Sequence, residues 1–232
     1  MSLLVPDRRP SRELLDDPSL PDSEMRLSLA DLDFVHRHWG ASRALARYLG
    51  PRLGVPGRPA SILDVGAGAA SVARRLRARL DGLGGQVRVT ALDLQWRHLA
   101  SGRRSPGRDP VTLVAADVFR LPFPDRAFDF AVSTLFFHHF SPDENRAILA
   151  ELLRVARIGF AVLDLRRHRV PLALVAVAGR AFFRSRVSML DGVASVRQAY
   201  TAAEAQAIAR SVTPTARAVR VRPYGLLVTA DA

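Results

Sequence analysis

Beyond residue 60 the chain alternates short apolar runs with amphipathic stretches. Residues 61–65, 86–92, 111–116, 128–134 and 159–165 are dominated by apolar side chains, as strands buried on both faces are. Between them, residues 70–80, 95–100 and 142–156 carry the pattern of helices. The last of these opens with Ser141-Pro-Asp-Glu144, a capping box with proline at the first helical position. Thr201-Ala-Ala-Glu204 repeats the device and starts a helix reaching about Arg210. Two final strands, 216–221 and 225–230, are joined by a turn at Pro223-Tyr224, so short that they must pair antiparallel. Upstream, Met25, Leu29, Leu32 and Val35 recur at helical spacing. Asp22 or Ser23 can cap that helix, which runs to about His38 and is broken by Gly40. A second helix covers 41–49, and a Gly/Pro-rich linker, 50–59, follows. Residues 1–22, interrupted by Pro6, Pro10, Pro18 and Pro21, read as an irregular arm.

This alternation predicts an α/β fold, with a doubly wound, mostly parallel sheet and an antiparallel C-terminal hairpin. Residues 1–52 form an arm and helical lid in this reading. Residues 53–232 form the main domain, with a cap insertion at about 166–200.

At 232 residues the chain is long enough for one sizeable core. It has no cysteine, hence no disulfides and no thiolate metal site. Its net charge of +12 comes from arginine alone, scattered as single residues and doublets such as Arg8-Arg9, Arg74-Arg75, Arg103-Arg104 and Arg166-Arg167. No basic block alternates with aromatics, so the charge reflects coding bias and no nucleic-acid partner is expected. The polar N-terminus has no signal-peptide core, and the longest apolar run, 170–178, is about half of the roughly 20 residues a span needs. A soluble, cytoplasmic protein is expected.

The chemistry gathers at strand ends. Ile62-Leu-Asp-Val-Gly-Ala-Gly-Ala-Ala-Ser71 reads as a strand, a glycine turn and a helix beginning near Ala70. Gly66 and Gly68 let backbone approach a ligand, and Asp64 before them suits an amine better than a phosphate. Asp93 ends the next strand, where a carboxylate accepts from ribose hydroxyls or is an ordinary loop residue. Asp117 ends the third, where it reads an adenine amino group beside the Val118 N–H, or caps a turn.

Taken together, Leu63-Asp-Val-Gly-Ala-Gly68, Ala91-Leu-Asp93, Ala116-Asp117, Leu121-Pro-Phe123, Phe128-Asp129 and Leu135-Phe-Phe-His-His139 resemble the class I S-adenosylmethionine (SAM)-dependent methyltransferases. The resemblance is to the group that includes the ubiquinone- and menaquinone-biosynthesis C-methyltransferases, and it covers about residues 55–165 well. It implies a seven-stranded Rossmann-like fold and a cofactor layout. Gly66, Ala67 and Gly68 would line the methionine moiety with Asp64 near its amine. Asp93 would hold the ribose, with Leu94 packing on the adenine. Asp117 and Val118 would read the adenine edge, and Ser133 and Thr134 would floor the sulfonium. Ala70 stands where the family has a third glycine, a departure that a right-handed helical backbone would tolerate.

The implied reaction is direct transfer of the SAM methyl group to a small, largely apolar acceptor, quinone-like or polyketide-like, leaving S-adenosylhomocysteine. The acceptor's own acidity decides whether a base is needed. His138 and His139 are the first candidates for base or positioning roles, each also readable as a packing or hydrogen-bonded residue. His36 and His38 follow. No metal site is expected, because no histidine has ligand partners at a recognisable spacing. Residues 170–178 with Phe182 and Phe183, flanked by arginines, read as a cap over the site or as an amphipathic segment with weak membrane-surface affinity. A monomer or homodimer is expected. The alternatives are a non-catalytic SAM-binding or interaction protein and a nicotinamide oxidoreductase. Against the latter, the third glycine of the dinucleotide fingerprint is missing.

Overall fold

The computed structural model describes residues 4–53, 59–84, 86–103 and 109–232. Arg104 and the middle of the 50–59 linker lie outside the described residues. At the centre is a seven-stranded sheet. Its strands are β1 (Ala60–Val65), β2 (Val87–Asp93), β3 (Thr112–Ala115), β4 (Phe128–Thr134), β5 (Ala156–Leu165), β6 (Arg217–Val221) and β7 (Gly225–Asp231). Their order is β3-β2-β1-β4-β5-β7-β6. β1 to β5 are mutually parallel, and β7 runs antiparallel to β5 and β6.

Among the described residues eight α-helices complete the fold: α1 (Asp22–Trp39), α2 (Ala41–Leu49), α3 (Ser71–Asp81), α4 (Trp96–Ser101), α5 (Pro142–Val155), α6 (Arg169–Phe182), α7 (Arg186–Gln198) and α8 (Ala202–Arg210). Strand periodicity assigns the faces. Leu63 and Val65 of β1 pack with Leu149 and Leu152 of α5 and Ile208 of α8. Ile62, of opposite parity, packs on the other side with Leu45 of α2 and Leu76 of α3. Phe130, Phe160, Ile62 and Leu63 are fully buried. Each such side chain stabilises the fold by roughly 1.5–3 kcal/mol.

Both capping boxes form, Ser141 with Glu144 and Thr201 with Glu204. Gly40 ends α1 in the left-handed region, at φ 78°. Three local expectations change. The N-cap of α1 is Pro21 with no side-chain bond, and Asp22 and Glu24 sit in the first turn, where they favour the helix dipole instead. β5 starts at Ala156, directly out of α5, three residues before the expected boundary. The stretch after β5 is two helices, α6 and α7. Asp31 of α1 joins lid to cap: its Oδ2 accepts the Arg184 and Ser185 amides, both at 2.9 Å. Among the described residues no helix is long and apolar enough to cross a membrane.

Candidate functional site

β1 and β4 are neighbours from which the strand order runs outward in opposite directions, the crevice where open α/β sheets bind ligands. The loops after β1 to β4, with α1, α7 and the N-terminal arm, enclose a cavity of about 590 Å³. That falls within the roughly 300–1,000 Å³ usual for small-molecule sites.

The glycine turn forms one wall. Gly66 and Gly68 both have positive φ, +65° and +52°. A Cβ on Gly66 would lie 2.4 Å from Phe136 Cδ2, so only glycine fits against that ring. Ala70 is the N-cap of α3 in the left-handed region, at φ 55° and ψ 26°. The expected right-handed backbone is therefore absent, and alanine holds a conformation that glycine adopts without penalty.

Asp64 is buried behind the turn and does not line the cavity. Burial, then the Asp93 charge, push its pKa up to about 7. Asp93 does line the cavity. It also joins two loops, accepting the Gly68 amide at 2.8 Å and the Gln95 amide at 2.9 Å. Asp117 accepts the Phe119 amide at 2.9 Å and lines the cavity beside Val118. Leu94 stands 72% exposed at the mouth. Ala67 packs into the core and does not reach the cavity. Ser133 and Thr134 are also withdrawn from it. Ser133 donates to the Val65 carbonyl at 3.0 Å, and Leu135 and Phe136 hold the cavity floor.

The far end is polar. His138 is buried, with Nδ1 donating to Asp164 Oδ1 at 2.6 Å and Nε2 to Glu13 Oε1 at 3.2 Å. Burial opposes its charge, yet Asp164 and then Glu13 outweigh burial and push its pKa up to about 10. Glu13 is likewise buried, but His139 and His138 bring it down to about 2. His139 Nδ1 donates to Asp16 Oδ2 at 3.1 Å. His36 is buried outside the cavity, its pKa lowered to about 4 by burial and then by Arg75. His38 is spent on the Phe34 carbonyl at 2.8 Å.

The arm is irregular apart from the turn at Leu14–Asp16, yet it is firmly tied down. Arg8 donates to the Gln198 and Phe140 carbonyls at 2.7 and 2.9 Å and stacks on Tyr200. Asp191 of α7 accepts the Leu14 and Leu15 amides at 2.8 and 2.9 Å. Glu13, Asp16, Asp164 and Asp191 all escaped the sequence reading. For Asp164 a signal existed, since it stands near the end of β5 as Asp64 does near that of β1. Glu13 gave none, lying 125 residues from His138.

Residues 62–159 match a family model described as a methyltransferase domain. Over that stretch, less than half of the chain, the sequence is similar to methyltransferase domains. The match takes in the glycine turn, Asp93, Asp117, His138 and His139, and leaves out Glu13, Asp16 and the cap. A demethylmenaquinone methyltransferase of Thermobifida fusca is 38% identical over 101 residues. That match spans 42% of this chain and 39% of the relative. A SAM-dependent methyltransferase from Aquifex aeolicus superposes with a TM-score of 0.63 over 92% of this chain and 99% of that one, at 21% identity. Human N-acetylserotonin methyltransferase in complex with SAM gives 0.64 over 91% and 56%, at 14% identity. Likeness at those identities speaks for the fold.

Proposed function

We propose that this chain is an S-adenosylmethionine-dependent methyltransferase acting on a small, largely apolar molecule. The observation that carries the reading is the single cavity joining two unlike halves. One half has the glycine turn with Asp93 and Asp117, a surface suited to a nucleoside with an amino-acid tail. The fit to the cofactor rests on two features: the Gly66 and Gly68 backbone lining the cavity, and the two carboxylates, Asp93 and Asp117, beyond the β2 and β3 ends. The other half is walled by Leu29, Leu32, Val35, Val175 and Phe183 and ends at the histidines.

When bound, SAM supplies an activated methyl group. The protein's part is to orient the acceptor in line with it and exclude water. His138, both of whose ring nitrogens are taken by Asp164 and Glu13, acts by holding Glu13 at the end of the cavity. His139, with Nδ1 turned to Asp16, is the group that takes an acceptor proton at Nε2. The apolar walls favour a quinone-like or polyketide-like ring. The outer face of α6 exposes Leu174 and Val177 between Arg169 and Arg180 and would carry any weak membrane association.

Calorimetry with S-adenosylhomocysteine tests the reading. Hydrogen bonds to a charged group contribute roughly 1.5–3 kcal/mol each, so Asp93→Ala should weaken binding by about 10- to 100-fold or more. Stabilisation by NAD and none by S-adenosylhomocysteine would overturn the proposal. Binding with no turnover on any quinol or phenol tested would leave a cofactor-binding protein.

A further inference from the structure

At the polar end of the cavity two polar atoms face each other without a hydrogen bond. Glu13 Oε2 and His139 Nε2 lie 3.6 Å apart, and among the described residues neither makes another polar contact. His138 Nε2 stands 3.2 Å from the other oxygen of the same carboxylate. One such atom from each of the three residues falls within 4.8 Å of the rest, and all three residues line the cavity. A tetrahedral ion bound to nitrogen and oxygen at about 2.0–2.2 Å separates its ligand atoms by about 3.4 Å. The gap is too wide for a good hydrogen bond and right for a shared cation.

The backing of each side chain argues the same way. His138 Nδ1 is held by Asp164 at 2.6 Å and His139 Nδ1 by Asp16 at 3.1 Å. Glu13 Oε1 is held by Ser195 at 2.5 Å and Gln198 at 2.8 Å. Carboxylates behind histidines fix the ring and leave Nε2 as the ligand atom, the outer arrangement of metal sites. An ion-pair cluster built to tie down the arm would need the Glu13–His138 contact alone. It would not explain why His139 is oriented by its own carboxylate toward an unfilled gap.

We propose that Glu13, His138 and His139 bind one divalent transition-metal ion of the zinc type. Two imidazoles and a carboxylate suit zinc, iron or manganese better than calcium or magnesium. Three protein ligands leave a fourth position open to the cavity. Resting on the cavity being the acceptor site, an acceptor hydroxyl bound there loses its proton to solvent while its oxygen stays on the ion. His139 then serves as ligand instead of base. The sequence spacing gave no hint of such a site, because Glu13 arrives from the far end of the chain.

The full-length protein, stripped with chelator, is titrated with Zn²⁺ by calorimetry and with Co²⁺ by visible absorption. One equivalent should bind, with the intense ligand-field bands of tetrahedral Co²⁺. Asp16→Asn should weaken Zn²⁺ binding by about 10- to 100-fold. His139→Ala and Glu13→Gln should each abolish the stoichiometric site, two variants guarding against one that misfolds. Absence of a bound equivalent, or equal Zn²⁺ affinity in wild type and both variants, overturns the assignment. S-adenosylhomocysteine binding is measured on the same metal-free samples. If it persists where Zn²⁺ binding fails, the metal site alone falls; if it is itself absent, the cofactor reading falls.

Discussion

Burial and the neighbouring Asp93 charge raise the Asp64 carboxyl to about 7 from 3.8. Below pH 3.8 it is protonated in both folded and unfolded chains and costs nothing. As pH climbs from there to about 7, the folded chain holds a proton that the unfolded chain gives up, so stability falls, and the loss is complete above 7. At about 1.4 kcal/mol per pKa unit, Asp64→Asn should exceed wild type by about 2–4 kcal/mol at pH 8 and match it at pH 3.5. On the proposed cofactor reading, in which Asp64 acts on the amine from behind the glycine turn and not from the cavity wall, the same variant should bind S-adenosylhomocysteine more weakly. Urea denaturation across that pH range checks the first point, and parallel stability curves for the two proteins would refute it. The motif around Asp64 was legible because strand, turn and helix are contiguous. Its charge state was not. It depends on Asp93, which the parallel register of β1 on β2 brings alongside, with Val65 opposite Leu92. Ala70 failed for a related reason: its left-handed φ follows from how α3 meets the turn, and alanine by itself announces no such conformation.

Regular elements and irregular ones differ in how they are held. The strands and helices follow from local periodicity, and the capping boxes at Ser141 and Thr201 are complete within four residues. The arm has no periodicity, and its position is fixed by single polar contacts with α7 and the β4 loop. Nothing in residues 4–16 identifies those distant partners, so the arm could be read only as irregular. The Glu13–His138 contact is one of its buried anchors. The pKa of His138 is raised to about 10, so its contribution is full below about 6.5 and disappears as pH rises through 10. The pKa of Glu13 is lowered to about 2, so its contribution is full above about 4.5 and disappears as pH falls through 2. Breaking a buried pair by removing one charge costs roughly 3–5 kcal/mol. In the metal-free protein, Glu13→Gln should therefore destabilise most between pH 5 and 6.5, by about 3 kcal/mol, with the difference shrinking above pH 9. A difference that stays constant to pH 10.5 would mean that the pair carries no charge.

For the whole molecule the consequence is closure. The sheet order places a crevice at the β1–β4 boundary, and that much follows from the alternation of elements. Arm, lid and cap then roof it, through Asp31 between α1 and the start of α7 and through Asp191 between α7 and the arm. A nucleoside cofactor entering beneath this roof has to displace part of it, and the arm, with no regular structure of its own, is the part that gives way most readily. Asp191 accepts two arm amides, and each such bond to a charged acceptor contributes roughly 1.5–3 kcal/mol. Asp191→Ala should then populate the open arm about tenfold more or higher. Opening limits both entry and exit, so association and dissociation of S-adenosylhomocysteine should accelerate together while the dissociation constant changes far less. Stopped-flow measurement with a fluorescent analogue of that ligand separates the two rates. Unchanged rates would show that the cofactor reaches the glycine turn by a route that leaves the arm in place.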